Sequence, residues 1–177
     1  MKLINYISLS LTAFFLGILL LSLHKNWIII RLPIKTQIKQ VKHVNKKTVK
    51  LIYWDRKWDK EELELIWSDD ISQNLHYLIN TWLTLLDEEK VMSKKVSLQS
   101  ALLSNKDAYL SFDRNPFNPE DSTFEKWMWV EGLLKTIKQN DIILQNVYLL
   151  THHQTIIDDH LDFSRPWPIT GFLKESL

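Results

Sequence analysis

The chain has 177 residues, 22 Lys and Arg against 21 Asp and Glu, no cysteine and three glycines. The lack of cysteine excludes disulfides, thiolate nucleophiles, Cys-based zinc sites and an acylated lipoprotein cysteine, and three scattered glycines exclude a Gly-rich phosphate loop. The net charge of +1 hides an asymmetry: residues 1–54 carry no acid, whereas from residue 51 onward 13 Lys and Arg stand against 21 Asp and Glu. A basic root on an acidic domain argues against nucleic acid as the main partner.

Leu3 to Leu23 is a run of 21 uncharged residues, 13 of them Leu, Ile or Phe. A bilayer core is crossed by about 20 apolar residues in a helix, so residues 1–24 are predicted to be a transmembrane anchor in the lipid bilayer. The run is longer than a signal-peptide core, and no small-x-small cleavage pattern follows it, so the anchor reads as retained. Residues 25–48 form a basic juxtamembrane linker. Lys35, Lys39, Lys42 and Lys46 recur there at helical spacing, which suits either a helix lying on anionic lipid or a solvated tether. The cations from Lys25 to Lys42 follow the span closely. By the positive-inside rule they would keep the folded part in the cytoplasm.

Residues 49–177 are predicted to be one α+β domain. Val49–Trp54 is rich in β-branched and aromatic residues, and Leu63–Trp67 alternates apolar and polar, giving an opening strand followed by a second strand or extended arm. Asp70 with Gln73 suits a helix start. The apolar stripe Ile71, Leu75, Leu78, Ile79, Trp82 and Leu86 carries that helix to Asp87–Lys90. Val96–Leu103 and Ala108–Asp113 read as strands joined by the turn residues 104–107. Ser122 and Glu125 form a capping box heading a second helix with the stripe Phe124, Trp127, Val130, Leu134 and Ile137, and Asn140 is expected to end it in a left-handed conformation. Gln145–Thr151 is the last strand. The closing segment is expected to pack Leu161, Phe163 and Trp167 against the sheet. The fold class is therefore a two-layer α+β domain, a mixed sheet with two helices on one face, behind an N-terminal transmembrane helix.

The densest polar cluster is His152, His153, Asp158, Asp159, His160 and Asp162. Imidazoles and carboxylates at this density can bind a metal or act as acid and base. His152 and His153 are adjacent, however, so on a strand they point to opposite faces, and no HExxH-type spacing is present. The acids flanking the first helix, Asp69/Asp70 and Asp87/Glu88/Glu89, read as a cap and a solvated helix end. No Ser-centred nucleophile elbow occurs. No catalytic residue, metal ligand or cofactor is assigned. Gly132 inside the second helix costs about 1 kcal/mol relative to Ala and marks close packing against the sheet or another subunit. Trp58, in a charged loop near Trp54 and Trp67, is the aromatic residue expected at the surface, so Trp58 and Gly132 are the candidate interface residues.

Two stretches resemble a known family. Asp107-Ala-Tyr-Leu-Ser-Phe-Asp-Arg-Asn-Pro-Phe117 resembles the G-x-Y-V-D-F-S-x-x-F strand of GerMN domains, and His160-Leu-Asp-Phe-Ser-Arg-Pro166 is similar to their G-H-L-D-L-S-R-P close. Asp107 stands where Gly is usual, Ser111 where Asp is, and Asp159 where the Gly before His is, so the acidic strand position moves to Asp113. The matching positions are Tyr109, Phe112, Asp113, His160, Asp162, Ser164, Arg165 and Pro166. The resemblance implies a ring-building-motif-like domain, held outside the cytoplasmic membrane and acting in sporulation, germination or envelope assembly without catalysis. This location disagrees with the positive-inside count. The resulting expectation is a non-enzymatic module that binds envelope proteins and self-associates, with anionic lipid as a further partner through the linker. The alternative is a membrane-anchored hydrolase or metal-binding protein using His152, His160 and Asp162.

Overall fold

The computed structural model describes residues 45–172 together with Leu11. The rest of the apolar stretch 3–23 and the linker up to residue 44 lie outside the described residues. Among those described, no helix is long and apolar enough to cross a membrane.

Strands β1 (Asn45–Asp55) and β2 (Lys57–Trp67) form an antiparallel ribbon in unbroken register, from Asn45 opposite Trp67 to Asp55 opposite Lys57. Arg56 makes the turn with φ +60°. The ribbon starts before the predicted Val49 because its first residues are held both within the ribbon, where Lys46 pairs with Glu64 of β2, and from outside it, where Lys47 reaches the Asn140 carbonyl at 2.8 Å. Helix α1 (Ile71–Glu88), strands β3 (Leu98–Ser104) and β4 (Asp107–Phe112), helix α2 (Thr123–Gln139) and strand β5 (Asn146–Thr151) follow. β4 is central, antiparallel to β3 and parallel to β5. The two-residue strands β6 (Gln154–Thr155) and β7 (Trp167–Pro168) both pair antiparallel with β5. The class is α+β with a mixed sheet and two helices, as the sequence pattern predicts.

The helices begin where their caps dictate. The Asp70 carboxylate accepts from the N–H groups of Ser72 and Gln73 at 2.9 and 3.3 Å, and Ser122 with Glu125 forms the complete reciprocal box. From Leu75 to Leu86 the predicted α1 stripe is buried, and it joins Leu110, Phe112, Val147 and Leu149 of the sheet and Val130, Leu133, Leu134 and Ile137 of α2 in one core. Leu161, Phe163 and Trp167 are buried as expected. Two details of α2 differ from the pattern. Phe124 is 57% exposed, while Lys126 in the same turn is 1% exposed, so at the start of the helix the inward position belongs to Lys126. Asn140 has φ −104°, and it is Asp141, at φ +59°, that turns left-handed.

The larger difference is that β1 and β2 stay out of the sheet and form a sheet of their own. Val49 and Leu51 are fully buried, so the backbone groups on the free edge of β1 need partners. Helix α2 supplies them from side chains. Thr136 Oγ1 accepts from Ile52 N–H at 2.9 Å and donates to Ile52 C=O at 3.1 Å. Asn140 Oδ1 accepts from Lys50 N–H at 2.9 Å, and its Nδ2 donates to Lys50 C=O at 2.7 Å. One turn earlier on this helix face, Gly132 lets the backbone of β1 approach: a Cβ there would lie 3.2 Å from the Ile52 oxygen and 3.4 Å from Trp82. Gly132 is thus buried inside the chain at this helix–strand contact and is not available at a surface for a second subunit. The Asn140 amide is engaged on Lys50, and the turn passes to the next residue.

The same device recurs on α1. Asn80 brackets Leu98 of β3, accepting from its N–H at 2.9 Å and donating to its C=O at 3.2 Å. Asn74 does so for Ser68 at 2.8 and 2.7 Å. A carboxamide has one acceptor and two donors and so stands in for a neighbouring strand. Asn140→Ala leaves both Lys50 groups without a protein partner; at about 1–3 kcal/mol per fully buried unsatisfied group, less for these part-buried ones, it is expected to destabilise the protein by about 2–4 kcal/mol. Gly132→Ala should also destabilise it despite the helix-propensity gain of about 1 kcal/mol, because the Ile52 oxygen is fixed by Thr136 and Trp82 Nε1. Urea unfolding of both variants measures this; a Gly132→Ala protein more stable than the parent would show that the contact has room.

Candidate functional site

The histidine-rich segment does not assemble. His152 and His153 have φ +50° and +64° and form the tip of the β5–β6 hairpin, between the paired Thr151 and Gln154. They are turn residues, not strand residues with opposed side chains. Their N–H groups are bound to Phe112 C=O at 3.1 Å and Ser111 Oγ at 2.8 Å. This docking fixes the tight turn. His160 and Asp162 line a shallow groove of about 460 Å³ to which neither His152 nor His153 belongs. Among the described residues, no three His, Asp or Glu gather closely enough to hold a metal ion.

The closing motif residues build turns. Asp158 Oδ1 accepts from the His160 and Leu161 N–H groups at 2.9 and 3.1 Å. Asp162 Oδ1 accepts from the Ser164 hydroxyl and N–H at 2.5 and 2.9 Å, which holds its carboxyl below the usual range. Arg165 lies 3.6 Å from Asp162, and Pro166 is half-buried beside the buried Trp167. These turns set Leu161, Phe163 and Trp167 into the core. Phe112 is fully buried. Asp113 ties the end of β4 to the start of β3, accepting from Ser97 N–H at 2.9 Å. Burial pushes its carboxyl up, but the Ser97 bond and the Arg114 charge outweigh this and hold it below its ordinary value.

Lys126, which the sequence reading passed over, is 1% exposed and donates to Asp158 Oδ2 at 2.6 Å. His160 Nδ1 lies 3.5 Å from its Nζ. Lys126 stands four residues before Val130 and eight before Leu134, on the apolar stripe itself, and this spacing is the signal that could have found it. Glu131 is equally buried and accepts from Phe172 N–H at 2.7 Å. Both charges pin the segment after β6 to α2.

Two surfaces remain as candidate binding sites. The first is a cleft of about 750 Å³ between the ribbon tip, the end of α1 and the start of α2, within the range of about 300–1,000 Å³ usual for small-molecule sites. Tyr53, Trp54, Phe117, Phe124 and Trp129 line it. Trp58, 36% exposed as predicted, packs edge-on against Trp54 at 5.2 Å, with Lys135 above its ring, and Trp54 meets Phe124 at 5.9 Å. The second is on the sheet. Leu102, Tyr109 and Tyr148 are direct neighbours across β3, β4 and β5. Leu102 is 61% exposed, and the two tyrosine rings stack at 4.6 Å with 4° between planes.

No protein-family model matches the chain, and no curated protein is similar to it. Among solved structures the chain is similar to a candidate lipoprotein from Clostridium perfringens, with 16% identity, 71% of this chain and 89% of that one covered, and a TM-score of 0.49.

The Lys126–Asp158 pair has a checkable energetic signature. Burial pushes Asp158 up, but the Lys126 bond, the two N–H bonds and the Lys126 charge together hold it below the ordinary carboxylate value. A depressed folded-state pKa contributes stability that is fully present above the unfolded value of about 3.9 and is lost as pH falls through the folded one. Asp158→Asn should therefore flatten the acid limb of the stability–pH profile. Lys126→Met alone should cost about 3–5 kcal/mol, since it strands a buried carboxylate. The double variant Lys126→Met/Asp158→Leu should cost less than the sum of the single changes, as a denaturation cycle would show.

Proposed function

We propose that the chain is a membrane-anchored, non-enzymatic interaction module of the cell envelope. In this reading Leu3–Leu23 spans the cytoplasmic membrane, the folded part lies outside the cytoplasm, and both helices cover one face of a GerMN-like, ring-building-motif-like sheet. The observation that supports it is the uncharged row Leu102–Tyr109–Tyr148 on the sheet. Leu102 is exposed and the two tyrosines are half-buried, and accessible aromatic and aliphatic side chains in a continuous row are enriched where proteins meet. The partner is an envelope protein or a second copy of the chain. A hydrolase or metal protein built on His152, His160 and Asp162 gains no such support, since His152 is a hairpin tip held apart from the groove of the other two.

Two measurements test the proposal. A photo-crosslinking residue at position 102 in intact cells should yield an adduct to an envelope protein or to the chain itself, and Tyr148→Glu should abolish it. No adduct, or one that Tyr148→Glu leaves unchanged, would remove the sheet as the contact. The chain has no cysteine, so Lys106→Cys in the exposed β3–β4 turn gives a single reporter of sidedness. A membrane-impermeant maleimide able to cross any outer membrane should label it in intact cells. Labelling only after lysis would place the folded part in the cytoplasm, as the basic flank requires, and end the envelope assignment.

A further inference from the structure

The aromatic cleft has a charge pattern that selects among ligands. Three cations and three anions line it: Arg56, Lys90, Lys126, Asp55, Asp121 and Glu125. Their formal charges cancel, so the cleft offers no net field to steer an ionic ligand. Three of the six are engaged by the fold. Lys126 holds Asp158, Glu125 caps its own helix through Ser122, and Asp121 accepts from the Asn118 N–H at 2.7 Å. The side chains of Asp55, Arg56 and Lys90 are exposed to solvent and have no hydrogen bond or ion pair among the described residues. An acceptor group and two donor groups thus line the same cleft as Trp54 and Phe124, the latter 57% exposed.

We propose that this cleft binds a neutral oligosaccharide. Such a ligand carries no net charge, presents hydroxyl groups that both donate to Asp55 and accept from Arg56 and Lys90, and offers C–H faces to the rings. A simple anion would satisfy the two cations and meet three carboxylates. A proline-rich peptide suits an aromatic groove but brings carbonyl acceptors with few N–H donors, and so offers the solvated Asp55 carboxylate nothing in exchange for water. The site is separate from the sheet row, so its success or failure is independent of the protein-interaction reading.

The test uses the full chain in a polyoxyethylene detergent, because a maltoside head group would compete. Cellotetraose and chitotetraose are titrated as neutral probes, tetragalacturonate as the anionic one and a proline decapeptide as the peptide. Binding is followed by calorimetry and tryptophan fluorescence. A neutral tetrasaccharide should bind with a fluorescence change. Phe124→Ala and Arg56→Ala, at exposed positions whose unchanged circular dichroism confirms folding, should each weaken it about tenfold or more. Leu102→Glu should leave it intact. Three results would overturn the proposal: no neutral probe bound at millimolar concentration, tighter binding of the peptide or the polyanion, or affinity for sugar unaffected by both cleft variants.

Discussion

The free edge of β1 is the constraint on which the rest of the structure depends. A two-stranded ribbon is marginal by itself, and here one strand is buried at Val49 and Leu51 while its outer backbone groups face a helix. Helices have no spare backbone donors along their sides, so the partners must be side chains. Gly132, Thr136 and Asn140, one turn apart on α2, provide an approach, a hydroxyl and a carboxamide, each matched to one position of the strand. Trp82 of α1 completes the set by donating its indole N–H to the same Ile52 carbonyl at 2.8 Å. The ribbon, α1 and α2 are thereby locked to one another by directional bonds as well as apolar packing.

Helix α2 is consequently buried on several sides, and its polar residues in the interior hold three different pieces of chain. Thr136 and the cap residue Asn140 hold β1, Lys126 holds the turn at Asp158, and Glu131 holds Phe172 N–H. A buried charge pair of this kind is a poor source of net stability, since desolvation offsets most of the attraction. Its value lies in selecting one arrangement: an Asp158 turn docked anywhere else would leave a lysine unpaired in the core. Because α2 also contributes Phe124, Glu125, Lys126 and Trp129 to the cleft, the bonds that organise the fold also fix the walls of that site.

Local signals were strong wherever one segment decided its own conformation. The caps at Asp70 and Ser122, the stripe from Leu75 to Leu86, the turn at Asn105 and the exposure of Trp58 could all be read from neighbouring residues. His152 and His153 follow β5 directly, and nothing in their own residue types announces a tight hairpin turn there. Two left-handed non-glycine residues in succession are unusual, and their hairpin is held by Ser111 and Phe112, about forty residues earlier. Phe124 misled because the buried face at the helix start is taken by Lys126, a residue type that a search for apolar periodicity leaves out.

The sequence by itself determined the α+β class, the position of both helices, the three longer strands of the mixed sheet and an interior built from large apolar residues. These follow from periodicity, capping and turn chemistry, all of short range. Only the tertiary structure decided that β1 and β2 form a separate ribbon, because a strand edge can be satisfied by another strand or by a Thr and an Asn on a helix, and both choices have the same strand pattern. It also decided that the histidines disperse, that Lys126 and Asp158 meet, and that Asp55, Arg56 and Lys90 share a cleft with Trp54 and Phe124. Each depends on contacts between segments some thirty or more positions apart, where no local rule of spacing applies.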